Sequence, residues 1–558
     1  MRIDAKPEGL RQSMAWMHTW SGLVLGWLLY AVFLTGTLSF FLDEMNVWMK
    51  PELHRSIPTA QTGQQAVVGM ERLAPGAASW TINLPDERRN SVDVTWRKPG
   101  AAAGRAGTER ASLDAATGEA IETRETRGGN FLYRFHFELY AMPRIWARWI
   151  VGVATMLMFI AIISGVITHK KIFTDFFTFR RNKGQRSWLD AHNATAVFAL
   201  PFHVVITFSG LLLLMNMLMP FGRDAVYKGD SQAYNAEFRG QAMQQGGQGN
   251  NRGGGGGRGR AEVEGPMVMA DVGPMLATAA AAWPERGPGS MIITRPGAAG
   301  STIEVRENGG LSVVERGASR RMVFDGQTGQ LKETPAIAPV SGARGTFNVM
   351  TSLHLGRFAG PAMRWVLFLS GVVGTLMVAT GMVLWVVKRQ PERRKLGRTP
   401  VGHRLVEVLN VAGIAGLPVA IAAYFYGNRL LPIGLVQRLD WEIRVFFIVW
   451  LVCLLHAMVR KHRAAWLEQL GAAAVMFLAL PIVNVATGGA GLVESISNGL
   501  WAIAGFDLVA IVMGLGFAFA AYRTRAKAEA PLRSAAASAS SRNTAPCNDA
   551  SIAGEAAR

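Results

Sequence analysis

The chain has 558 residues, half of them hydrophobic, and a net charge of +19. A basic chain of this size is typical of nucleic-acid-binding proteins or of membrane proteins with basic inner loops. The apolar residues favour the second class, because they are concentrated in runs of about 20, each long enough to cross the roughly 30 Å hydrocarbon core of a bilayer. We therefore expect no nucleic-acid partner.

Eight apolar runs predict a polytopic α-helical membrane protein with about eight transmembrane helices. The runs are 19–42, 147–169, 195–218, 364–387, 405–426, 441–459, 465–485 and 499–521. The first is too long for a cleaved signal peptide, and other spans follow it. Lysine and arginine are concentrated in the N-terminal tail, in the loops after spans two, four and six, and after span eight. With eight crossings these segments share one face. The positive-inside rule makes that face, with both termini, cytoplasmic.

Two long segments, 43–146 and 219–363, are predicted to lie on the outer face. Alternating polar and apolar residues predict strands in both, at 80–84, 91–96, 291–295, 301–306 and 322–325. The glycine-rich run 245–260 cannot bury a core and predicts a flexible insertion. Its match to a dinucleotide-binding fingerprint comes from consecutive glycines with no strand before them. The predicted fold is a helical membrane protein with two α+β modules inserted between helices.

The first four spans contain two copies of one unit. His18 and His192 each lie 18 residues before a glycine in the adjoining span. Span, outer module, histidine and span thus occur in the same order in 11–170 and in 186–388. An even number of crossings per unit makes the copies parallel, related by an axis along the membrane normal.

Spans five to eight belong to neither copy. The predicted divisions are a tail with span one (1–42), module one (43–146), spans two and three with a basic loop (147–218), module two (219–363), span four (364–388), a basic loop with spans five to eight (389–525) and a disordered cytoplasmic tail (526–558).

Histidines beside the spans are candidate haem ligands, because ionisable groups at such depths are costly and usually functional. A b-type haem needs two imidazoles that face each other at one depth. His136 and His354 occupy equivalent positions in the two copies, at the outer edge just before spans two and four. We expect them to face each other across one iron. Zinc also binds imidazole, but the outer modules contain no cysteine thiolate, which favours haem.

The inner side has four candidate ligands for at most two sites. His18, His169 and His192 lie at the inner edge, and His203 lies inside span three. A continuous helix would place His192 and His203 on one face, about 16 Å apart. His169 and His203 have no histidine counterpart in the other copy, so the inner pairing is left open. The histidines more typical of structural or interfacial roles are His54, His403, His456 and His462.

Several arginines lie close in sequence to the outer histidines. They are Arg134, Arg144, Arg148, Arg357 and Arg364. Such residues are candidates to contact haem propionates or an anionic chelate. The alternative is that they extend from the ends of spans to the membrane interface.

In these residues the chain resembles the PepSY-associated transmembrane family, the iron-regulated inner-membrane proteins of Gram-negative bacteria. The motifs that carry the resemblance are Met17-His-Thr-Trp-Ser-Gly, Leu34-Thr-Gly, Phe135-His-Phe, Ser164-Gly-Val-Ile-Thr-His-Lys-Lys, Asp190-Ala-His-Asn, Pro201-Phe-His, Leu353-His-Leu and Ala379-Thr-Gly. The outer segments resemble PepSY modules, with the Asp-x-x-Thr-Gly turn at Asp114 and Asp325.

Some members of this family are haem-containing ferric-siderophore reductases. The resemblance therefore implies haem b, with two haems expected, a location in the bacterial inner membrane, and a ferric siderophore as the periplasmic substrate. The implied haem ligands are among His18, His136, His169, His192, His203 and His354. The candidate substrate contacts are Arg134, Arg144 and Arg357.

The sequence thus predicts a b-type cytochrome that passes electrons outward to a ferric siderophore and releases Fe(II). Hard oxygen ligands hold ferric iron more tightly than ferrous iron, so one added electron loosens the complex. The electron donor is left open between a quinol and a separate reductase, because the inner loops are too short for a flavin domain.

Two alternatives belong to other classes of protein. One is a haem-free accessory protein of iron uptake, whose PepSY-like modules bind a chelate or restrain a protease. The other is a proton-coupled siderophore transporter. The sequence shows no chain of carboxylates within the spans to support transport, since Glu494 and Asp507 are isolated.

Overall fold

The computed structural model describes residues 9–101, 107–169, 172–180, 183–230, 232–234, 268–310, 312–337 and 339–543. The predicted flexible insertion at 245–260 lies outside these residues.

Eight helices are long and apolar enough to cross a membrane, as the sequence predicted. They are Leu10–Trp48, Arg144–Thr168, Leu200–Leu218, Pro361–Leu396, Val401–Leu430, Arg438–Val459, His462–Ala486 and Trp501–Ala526. The protein is therefore a multi-pass membrane protein.

The helices are numbered in chain order. They are α1 Leu10–Leu38, α2 Leu42–Trp48, α3 Thr62–Leu73, α4 Asn130–Glu138, α5 Arg144–Thr168, α6 Ile172–Asp175, α7 Gln185–Phe198, α8 Leu200–Leu218, α9 Pro220–Tyr227, α10 Gly273–Ala282, α11 Gly342–Leu355, α12 Pro361–Lys388, α13 Gln390–Leu396, α14 Val401–Asn410, α15 Gly416–Leu430, α16 Arg438–Val459, α17 His462–Ala486, α18 Leu492–Ser497 and α19 Trp501–Asn543. A π-helical turn, Val411–Ala415, joins α14 to α15 within span five.

Span three does not begin as the sequence predicted. The chain leaves helical geometry at Ala199, with φ −111° and ψ 25°, between α7 and α8. Pro201 stands at the start of α8, where its missing N–H costs no helical hydrogen bond. His192 therefore lies on α7 and His203 on α8. The expectation that they share one face of a continuous helix is wrong, because the break separates them.

The two outer modules form one sheet. Its strands are β1 Ser79–Asn83, β2 Val92–Arg97, β3 Thr108–Leu113, β4 Ala120–Ile121, β5 Pro288–Thr294, β6 Thr302–Glu307, β7 Arg321–Asp325 and β8 Leu331–Glu333. The order is β4-β3-β2-β1-β5-β6-β7-β8, and every neighbouring pair is antiparallel. The first strands of the two modules pair at the centre, with Trp80 opposite Ile293 and Ile82 opposite Met291.

One face of this sheet is covered by helices and holds a hydrophobic core. Alternate residues of the central strands, including Ile82 and Ile293, are fully buried. They pack with apolar residues of α3 and α10, such as Met70 and Met275. To this layer each module contributes four strands and one helix that packs on the sheet, α3 or α10, so the predicted α+β composition is confirmed.

The first four spans pack with helices of the two copies interleaved. Helix α1 packs against α5 of its own copy and α12 of the other, while α7 packs against α12 and α5 against α8. Helices α4 and α11 lie at the outer ends of this group, where they pack against α1 and α8 respectively. Each of these two short helices carries an outer histidine.

Spans five to eight are joined to the first copy by buried polar contacts. The indole of Trp48 donates a 2.8 Å hydrogen bond to Asp507, and the amide of Asn484 donates to the same carboxylate at 3.2 Å. Asp507, isolated in the sequence, is thus hydrogen-bonded in the fold. Arg438 and Glu442 form an ion pair within α16, with side chains only 1% and 0% exposed. This pair reaches module one, because Arg438 donates to the carbonyl of Glu125 and Glu442 accepts a 2.8 Å hydrogen bond from the hydroxyl of Thr126. These contacts make spans five to eight part of the same folded body.

Helix α19 continues to Asn543, into the segment that the sequence predicts to be disordered from residue 526. The segment is rich in alanine, the residue with the highest helix propensity, which favours continuation of the helix. The disorder predicted for 544–558 concerns residues outside the described part of the chain.

Candidate functional site

The outer histidines face each other. His136 of α4 and His354 of α11 have ring centroids 6.1 Å apart, with 42° between the ring planes. The Nδ1 of His136 donates to the carbonyl of Val32 at 2.7 Å, and the Nδ1 of His354 donates to the carbonyl of Ile206 at 3.0 Å. Because a carbonyl can only accept, the proton of each neutral imidazole is held on Nδ1. Nε2 then keeps its lone pair for a metal.

The inner side repeats this arrangement with His18 and His192. Their ring centroids are 6.2 Å apart and the planes are inclined by 66°. The Nδ1 of His18 donates to the carbonyl of Ala161 at 2.8 Å, and that of His192 to the carbonyl of Met377 at 2.9 Å. The inner pair is therefore built from equivalent positions of the two copies, as the outer pair is.

Each of the four histidine rings packs against a glycine of the neighbouring helix. This glycine always lies four residues after the carbonyl that accepts from Nδ1, and a serine or threonine precedes it. A Cβ at these glycines would lie 2.6 Å from His136 at Gly36, 3.1 Å from His18 at Gly165, 3.1 Å from His354 at Gly210 and 3.0 Å from His192 at Gly381. Any larger residue would displace the imidazole, so these glycines provide the space for the histidine rings.

Each pair has the spacing and composition of a two-imidazole metal site. Two metal–imidazole bonds of about 2.0–2.1 Å, end to end across one ion, place ring centroids roughly 6 Å apart. Among the described residues no group of three or more histidine, cysteine or acidic side chains could hold a metal ion. A metal whose other ligands come from a macrocycle fits two protein ligands, whereas a structural zinc ion requires four.

A cavity of about 1070 Å³ opens at the outer pair. His136 and His354 line it together with apolar side chains of the spans, including Val32, Phe33 and Leu213. Ligand pockets in proteins are commonly about 300–1,000 Å³. The cavity is therefore large enough for a cofactor at the histidines with further space above it. Its arginines are Arg88, Arg89, Arg148, Arg316, Arg344, Arg357 and Arg364.

The structure does not bring the other two candidate ligands opposite a histidine. His169 directly follows α5, and its Nε2 accepts a 2.8 Å hydrogen bond from the amide of Asn193. His203 is fully buried in span three, with its ring 6.2 Å from that of Phe33 and its Nε2 beside Gly374. Their assignment as iron ligands stays a prediction.

The predicted substrate arginines separate into two groups. Arg134 and Arg144 lie 3.6 Å and 3.9 Å from Glu138, which also pairs with Arg148, and neither of the first two lines the cavity. Arg357 does line the cavity. Arg316 and Arg344 were not predicted from the sequence, because they come from separate parts of module two and show no local pattern.

The remaining histidines have local partners. His54 is buried and accepts a 3.1 Å hydrogen bond from the backbone of Ala490. His456 bonds to Glu468 at 2.6 Å. The rings of His403 and His462 lie against Trp385 and Trp466. None of these four lies opposite a second histidine ring within the part of the chain that the structure describes.

The family model described as the PepSY-associated TM region matches residues 15–388. This range contains both histidine pairs, the four glycines and the complete sheet. Spans five to eight lie beyond it. No curated protein matches the chain.

Proposed function

The chain belongs to the family of the PepSY-associated TM region, and we propose that it is a b-type cytochrome of the bacterial inner membrane that reduces a ferric chelate at its periplasmic face. The observation that carries this proposal is the presence of two facing histidine pairs, each with both Nδ1 protons bound by backbone carbonyls. His18 and His192 would hold the inner haem, and His136 and His354 the outer one.

Haem bound at each pair would supply a centre that takes up and releases one electron. The positions of the histidines along the helices determine how far apart these centres would lie. His18 and the carbonyl of Val32, which holds His136, are separated by 14 residues of α1, a rise of about 21 Å. The two pairs are thus stacked across the spans. The carbonyls bound to Nδ1 increase the basicity of each imidazole and fix the orientation of its ring.

The cavity supports the direction of transfer. It opens at the outer pair, on the side of the sheet, and the basic loops that the positive-inside rule assigns to the cytoplasm lie at the other ends of the spans. A ferric siderophore that enters from the periplasm would take one electron and leave its iron as Fe(II), which oxygen ligands hold less tightly. The electron would come from a quinol or a separate reductase at the inner face.

The first test is spectroscopic. Protein purified from haem-replete cells is expected to show a Soret band and the reduced-minus-oxidised spectrum of a b-type cytochrome. Anaerobic mixing of the reduced protein with a ferric chelate and an Fe(II)-specific chromophore should reoxidise the haem and produce Fe(II) in equal amounts. Absence of a Soret band would favour the haem-free accessory protein instead.

Gly36 provides a second test with a matched control. The Gly36→Ala variant places a methyl group 2.6 Å from the ring of His136, so we expect the haem content to fall by up to about half. Gly22 lies on the same helix, and a methyl group there would meet no other side chain within 4 Å, so Gly22→Ala should keep the full content. Equal haem in both variants would show that the outer ring does not need this space.

A further inference from the structure

The arginines of the outer cavity differ in how their charges are balanced. Several of them have carboxylate partners within ion-pair distance. These pairs are Arg88 with Asp43 and Glu44, Arg89 with Asp86, Arg148 with Glu138, and Arg364 with Glu44. Carboxylates of the protein therefore neutralise the positive charges of these four arginines.

Arg316 and Arg357 have no such partner. Among the described residues, no carboxylate lies within ion-pair distance of either guanidinium. The Nη1 of Arg316 donates a 2.9 Å hydrogen bond to Thr351 of α11, which fixes the position of its charged head. Burial and the positive charges of Arg357 and Arg344 lower the pKa of Arg316. Arg316 therefore lies near both Arg344 and Arg357, and all three line the same cavity.

Helix α11, which carries His354, also positions these arginines. Arg344 lies in the first turn of α11 and Thr351 lies one turn before His354. Arg357 lies two residues after Leu355, the last residue of the helix. Like charges held close together without carboxylate partners, as on Arg316 and Arg357, cost free energy unless an anion compensates them. Guanidinium groups match carboxylates in shape, because two N–H groups can donate in parallel to two oxygens.

We propose that Arg316, Arg344 and Arg357 form an anion-binding subsite, the arginine triad, which binds carboxylate groups of a ligand in the outer cavity. Two sources could supply the carboxylate: a propionate of a haem held by His136 and His354, or a ferric chelate that enters from outside. Assignment to the chelate rests on the proposed function and would make anionic carboxylate chelates the preferred substrate class.

The test measures binding without electron transfer. Gallium(III) citrate is an anionic chelate that cannot be reduced under these conditions, and a cationic gallium(III) trihydroxamate serves as the comparison ligand. The variant Arg316→Gln/Arg357→Gln removes two charges of the arginine triad. The control Arg295→Gln/Arg321→Gln removes two charges from the same module outside the cavity. The single variant Arg357→Gln is expected to fold normally, because Arg357 makes no hydrogen bond or ion pair within the described residues. It therefore tests binding even if the double variant misfolds.

We expect the triad variant to bind gallium citrate at least about tenfold more weakly than the control, and the single variant to lie between them. Binding of the cationic chelate should not weaken. If the carboxylate is instead a haem propionate, citrate binding will be unchanged while the haem content or midpoint potential of the triad variant changes. The proposal is overturned if neither citrate binding nor these haem properties differ between the triad variant and the control. Because gallium binding needs no haem, a failed cytochrome hypothesis would leave this result interpretable.

Discussion

Replacement of His136 or His354 by alanine is expected to remove about half of the haem from the purified protein, because each histidine belongs to one of two pairs. Either variant should lose the outer haem, since one remaining imidazole holds a b-type haem weakly. His18→Ala or His192→Ala should remove the other half. The double variant His136→Ala/His192→Ala should therefore lack both haems.

Haem per chain, measured after extraction, and the reduced-minus-oxidised spectrum check this prediction. His169→Ala and His203→Ala are the informative comparisons, because the sequence made both residues candidate ligands. The geometry leads us to expect full haem content in the first, while His203→Ala also tests whether a buried ring between the pairs affects the spectrum. If His136→Ala and His354→Ala both keep all of the haem, the outer pair does not bind it.

Removal of the buried carboxylate of Glu442 is expected to destabilise the protein by about 3–5 kcal/mol. Glu442 accepts hydrogen bonds from Arg438, from the hydroxyl of Thr126 at 2.8 Å and from the amide of Asn428 at 2.9 Å. The Glu442→Gln variant leaves the fully buried guanidinium of Arg438 without a counter-charge. Because Thr126 belongs to module one, the contact between that module and spans five to eight should loosen as well.

Asp440 on the same helix provides the control. It forms an exposed ion pair with Arg127 at 3.5 Å, with side chains 42% and 52% exposed. Exposed pairs contribute about 0–1 kcal/mol, so Asp440→Asn should have little effect. Thermal unfolding in detergent compares the two amide substitutions directly. Equal unfolding temperatures would mean that the buried pair contributes no more to stability than the exposed one.

The eight spans could be predicted because each depends on a local signal, and the facing outer histidines could be predicted because the chain contains a repeat. An apolar run of sufficient length predicts a span whatever its neighbours are. The sequence predicts that His136 and His354 pair because they occupy equivalent places in two parallel copies. The same reasoning applies to His18 and His192. The sequence leaves their pairing open because His169 and His203 lie at similar depths, and depth alone does not tell which way a side chain points around a helix.

Two features could not be read from the chain because they join distant segments. Alternating residues predict that β1 and β5 are strands, but not that these two pair with each other across about 200 residues of sequence. Arg316 and Arg344 likewise become neighbours only through the packing of module two. A signal for the ring-admitting glycines was present, since Thr380-Gly381 repeats the pattern of Thr35-Gly36. The function of this pattern follows from the structure, in which each of these glycines contacts a histidine ring.

The distribution of the four facing histidines has a consequence for assembly. Each ring donates its hydrogen bond to a helix of its own copy, yet each pair contains one histidine from each copy. A half-length chain with a single copy would hold two imidazoles by their hydrogen bonds to helix carbonyls, but neither ring would face a second histidine. It could complete either pair only as a symmetric homodimer, with the two-fold axis passing between the facing rings. Joining both copies in one chain makes the formation of these pairs independent of protein concentration.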